Sequence, residues 1–86
     1  MFRTGGASKR RDASEGLIVD ALRRVGARVW RVGGRGLPDV LVFYRWVFTP
    51  MEIKTGTGRL TAAQTDIPWP VVRTVDEALK VIGAAR

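Results

Sequence analysis

Apolar positions recur at helical spacing early in the chain and gather after it in short runs rich in β-branched and aromatic residues. Ile18, Leu22 and Val25 share one stripe with Glu15 at its head. Asp12 or Ser14 can cap this helix, which runs to about Val25, and Gly26 stops it. Residues 27–32 are rich in β-branched and aromatic side chains and read as a strand. The loop Gly33-Gly34-Arg35-Gly36 needs glycine's backbone freedom, and Pro38 disfavours helix before it. Residues 39–44 read as a second strand, and a turn near Arg45 leads to a third at about 47–54. Pro50 inside that third strand calls for an edge position or a bulge. The two strands predict an antiparallel hairpin.

A loop follows at residues 55–58. Thr61 can cap a short helical turn through Ala62, Ala63 and Gln64, which Pro68 and Pro70 end. Residues 71–73 read as a last strand. Thr74 to Glu77 carry a capping signature for a final helix with Ala78, Leu79 and Ile82 on its apolar side. The order α-β-β-β-α-β-α predicts an α/β or α+β fold, a small mixed sheet flanked by helices. The 86 residues make one domain over residues 12–86, preceded by a flexible basic tail over residues 1–11.

Composition narrows the chemistry. There are no cysteines and no histidines, which excludes the usual zinc sites and every Ser-His or Cys-His arrangement. A metal would have to be held by oxygen, which points to Mg²⁺ or Mn²⁺. With neither disulfide nor structural zinc, self-association is one way to stabilise so short a chain. The formal net charge of +7 attracts polyanions, nucleic acid before anionic membrane. No apolar run approaches a membrane span, and the N-terminus lacks a signal-peptide core. A cytoplasmic protein is the expectation. Lys9, Arg10 and Arg11 in the tail can touch phosphates, or the tail has no role.

Glu52-Ile53-Lys54 places two ionisable side chains on one face of a strand, roughly 6.5–7 Å apart. Met51 and Ile53 then face the core. Asp39, at the start of the neighbouring strand, converges with Glu52 at one end of the hairpin. Two carboxylates and an ammonium crowded together are costly unless something compensates them. A hard divalent cation would, with the Ile53 carbonyl as a third ligand. Such an ion polarises phosphoryl oxygens and activates water, and Lys54 can orient the water or steady the transition state. Taken singly, Glu52 and Lys54 are also what a solvated strand face carries, and Gly36-Leu37-Pro38-Asp39 is also an ordinary turn. Glu15 is either a buried acid that needs a cation or a wet first-turn glutamate.

Three segments in order, Gly36-Leu37-Pro38-Asp39-Val40-Leu41-Val42, Met51-Glu52-Ile53-Lys54 and Gly58-Arg59-Leu60-Thr61-Ala62-Ala63-Gln64, resemble the virus-type replication-repair nuclease domain (VRR-Nuc) of the PD-(D/E)xK superfamily. The similarity runs from Glu15 to about Ala78. It implies a Mg²⁺- or Mn²⁺-dependent DNA endonuclease. Asp39 and Glu52 would bind metal, and Lys54 would be the catalytic lysine. Gln64 would lie near the scissile phosphate, and Glu15 would be an additional acid at or behind the metal. Minimal members of the family resemble Holliday-junction resolvases and act as homodimers on branched DNA, typically in phages and bacteria. Arg35, Lys54, Arg59 and the tail cations would contact the DNA backbone, selecting structure rather than sequence.

The chain departs from the family between Gln64 and Val71, where a longer helix is usual. The shortening is expected to uncover core near Trp46, Phe48, Ile67 and Trp69, as a surface for a partner subunit or as ordinary core. Three other readings compete with a structure-selective nuclease. They are a non-catalytic DNA-binding module on the same fold, a sequence-specific restriction enzyme, and a basic interaction protein with no nucleic-acid role.

Overall fold

The computed structural model describes residues 6–54 and 66–85, with side chains from residue 15 onward. Helix α1 spans Gly6–Arg24. It begins six residues before the predicted Asp12 start, because Ala7, Lys9, Arg10 and Arg11 are good helix formers and continue the helix upstream. Residues 6–11 of the expected flexible tail are therefore helical. Its buried stripe is Ile18, Val19 and Leu22, whereas Val25 lies in the following turn, 39% exposed. Arg23 and Arg24 complement the negative end of the helix dipole. The Arg23 guanidinium also donates to the Val29 carbonyl at 2.9 Å, tying the helix end to the first strand.

Strands β1 (Arg28–Arg31), β2 (Val40–Tyr44), β3 (Val47–Ile53) and β4 (Val71–Val72) form one sheet in that order. β1–β2 and β2–β3 are antiparallel and β3–β4 is parallel, so the sheet is mixed. The hairpin predicted from residues 39–54 forms, with Val42 opposite Thr49 and Val40 opposite Met51. Its two-residue turn places Arg45 at φ 52° and Trp46 at φ 71°. Both lie in the left-handed region that such a turn demands and that Asn-Gly usually supplies. The predicted short helix at Thr61–Gln64 falls outside the described residues.

Pro50 fits its strand for a simple reason. Glu52 N–H donates to the Pro70 carbonyl and Lys54 N–H to the Val72 carbonyl. By alternation the nitrogen of residue 50 points to that same side, beyond the start of β4, where no donor is needed. This is the edge position its sequence called for.

Helix α2 (Val75–Val81) is capped by Thr74, whose hydroxyl accepts from Glu77 N–H at 3.1 Å. The Glu77 carboxylate accepts in turn from Arg73 N–H at 2.6 Å, one residue earlier than in the usual reciprocal box. α1 and α2 pack on each other and on the sheet. The core joins Ile18, Val19 and Leu22 to Val29, Val40, Val42, Met51, Ile53, Val72 and Ala78. These strand residues share one face, so both described helices cover that face. The opposite face carries Trp30, Leu41, Phe43, Phe48, Pro50 and Glu52.

Candidate metal and nucleic-acid site at the end of the hairpin

Asp39 stands where β2 begins, directly across from Glu52. Its N–H donates to the Met51 carbonyl at 3.0 Å, and its Oδ2 accepts from Ile53 N–H at 2.8 Å. The carboxylate thus occupies the place of a backbone carbonyl on the β3 edge, just past the last β2–β3 pair. Backbone groups of one strand residue point the same way, so the Ile53 carbonyl faces the Asp39 side of β3. Asp39 and the Ile53 carbonyl are therefore brought to one corner by a register rather than by a flexible loop.

Glu52 lies on the face away from the helices and is nonetheless 8% exposed. The segment leading into β4 covers it. Trp69 Nε1 donates to Glu52 Oε1 at 3.3 Å. A buried carboxylate needs such donors or a cation. Beside it opens a cleft of about 250 Å³ lined by Gly34, Arg35, Leu37, Ile67, Trp69 and Glu52 itself. The cleft wall is the β1–β2 loop, where Gly33 N–H donates to the Pro38 carbonyl and Leu37 N–H to the Gly34 carbonyl. Gly34 at φ 103° and Gly36 at φ 78° let that loop fold tightly enough to set Arg35 at the rim. Lys54 is half-buried at the end of β3, on the Glu52 face.

Asp39, Glu52, the Ile53 carbonyl, Lys54 and Arg35 thus gather around one end of the hairpin. Glu15 lies on the helix-covered side. Its carboxylate pairs with Arg31 at 3.7 Å, and Arg31 is opposite Val40 in the register. Among the described residues no three acidic side chains form a metal-holding cluster. Arg59 and Gln64, and the side chains of Lys9, Arg10 and Arg11, lie outside the described residues.

Trp69 is the site residue that sequence reasoning did not assign. The sequence marks it only as an aromatic near a surface expected to be uncovered. Its contact depends on the parallel pairing of Val71 with Glu52, which a local pattern does not reveal. The donor set fits a hard divalent cation, since two carboxylates and a carbonyl are all oxygen ligands. No protein-family model matches the chain, and neither a curated protein nor a solved structure is found to match it.

Proposed function

We propose that the chain is a metal-dependent DNA endonuclease whose site is Asp39, Glu52 and Lys54. The observation that carries this reading is the placement of two carboxylates from different strands, with a lysine, at one fixed corner of a basic protein. Asp39, Glu52 and the Ile53 carbonyl would hold Mg²⁺ or Mn²⁺. When bound, such an ion supplies Lewis-acid stabilisation and a water of lowered pKa.

The chain's own groups have distinct roles. The Ile53 N–H holds Asp39 Oδ2 in place, and the Trp69 N–H holds Glu52 Oε1, which fixes both acids before substrate arrives. Lys54 is a point charge on a flexible stem, suited to orienting a water or meeting charge that develops on phosphoryl oxygens. Arg35, at the cleft rim, meets a backbone phosphate. Nothing in these contacts reads a base edge, so the enzyme selects DNA shape. A homodimer would supply two corners related by a two-fold, as symmetric cutting of a four-way junction requires.

The test is incubation with a labelled four-way junction, a flap and a linear duplex, each with Mg²⁺, Mn²⁺ or EDTA. Incision of branched DNA with metal, and none with EDTA, is expected. Salt-sensitive binding without incision under any condition would favour a non-catalytic module instead.

A further inference from the structure

The sheet face away from the helices carries a connected group of aromatic rings. Phe43 and Phe48 have centroids 4.7 Å apart, Trp30 lies 6.2 Å from Phe48, and Trp46 meets Phe43 edge-on at 5.8 Å. These rings are open to solvent: Trp46 is 89% exposed, Phe48 58% and Trp30 46%. Trp46 also sits at φ 71°, where an L-residue is strained and glycine would rest without cost. A large exposed indole held in a strained turn is the kind of outlier that motivates a functional reading.

We infer that this face is a stacking platform for unpaired bases of single-stranded DNA. Three observations point to that occupant. The patch is aromatic rather than aliphatic, and every base offers a π-face to such rings. Arg28 alternates with Trp30 on β1 and opposes Phe43, so a cation stands among the rings. The chain carries +7, which complements a phosphate backbone.

The platform runs into the proposed nuclease corner. Phe48, Pro50, Glu52 and Lys54 follow one another on the same face of β3, and Phe48 to Glu52 spans roughly 13 Å. A strand stacked on the rings would lead its backbone toward Glu52, Lys54 and the Arg35 cleft. The substrate class is therefore DNA with an unpaired segment next to the scissile bond. That last step rests on the nuclease reading, whereas the binding itself does not.

The experiment separates the two. The whole protein in EDTA is titrated with a labelled oligothymidylate of about 12 nucleotides, within the usual site size, and intrinsic tryptophan emission is followed. The variants are Trp46→Gly, Phe48→Thr and their combination. Thermal unfolding accompanies each to show that the fold persists. Wild type should bind with quenched emission. The double variant should bind about tenfold or more weakly, with a nearly unchanged salt slope because phosphate contacts remain. Binding by the folded double variant equal to wild type would overturn the proposal. So would absence of quenching, or sedimentation showing a dimer that Trp46→Gly converts to monomer, which would give the face to a second copy. Since no metal is present, loss of incision elsewhere leaves this result readable.

Discussion

Asp39 has two separable duties at one carboxylate, acceptor for Ile53 N–H and candidate metal ligand. Asp39→Asn keeps a side-chain acceptor and loses the charge. Its unfolding midpoint in urea should stay close to wild type, while the heat of Mn²⁺ binding in calorimetry disappears. Asp39→Ala removes the acceptor as well and should lose about 1–3 kcal/mol, the cost of a stranded donor. Equal stability of the two variants would show that the Ile53 contact is incidental. Trp69→Phe should cost about 1 kcal/mol through the lost N–H to Glu52. The positions of Asp39, Glu52 and Lys54 were legible in the sequence because alternation and a Pro-Asp strand start fix them. The Asp39 bond to the β3 backbone was not, because it depends on where β2–β3 pairing stops.

Local signals set most of the elements, and the exceptions have physical causes. The Thr74 cap of α2 follows directly from its sequence, and Thr74→Ala should destabilise the protein by about 1 kcal/mol in denaturant unfolding. The start of α1 did not follow, since the helix-forming Ala7, Lys9, Arg10 and Arg11 extend it upstream of the Asp12 and Ser14 caps. The turn at Arg45-Trp46 was foreseen in place but not in type, because neither residue signals positive φ. Trp46→Gly relieves that strain and forfeits a ring contact and some chain entropy, so the effects nearly cancel. Its stability should lie within about 1 kcal/mol of wild type by thermal melting. A much larger loss would mean that the indole is needed for the hairpin itself.

At the scale of the molecule, two described helices cover one sheet face and leave aromatic rings and the hairpin corner on the other. No helix of the described residues is long and apolar enough to cross a membrane. The partition explains why the α+β architecture could be read from pattern alone while the aromatic platform could not. Periodicity marks apolar residues without saying which face the helices take. The proposed DNA binding would depend on ionic strength, given the excess of cations. Three phosphate contacts, from Arg28, Arg35 and Lys54, would weaken affinity by about ten- to fiftyfold between 50 and 200 mM salt. Filter-binding across that range checks it, and a flat response would remove nucleic acid as the partner. The nuclease claim itself is tested most directly by single-turnover incision of a labelled branched DNA with Mg²⁺, comparing wild type with Lys54→Ala at matched DNA occupancy. The predicted result is incision by wild type and a rate lower by about a hundredfold or more in the variant. Equal rates in the two, or no metal-dependent incision by either, would contradict it.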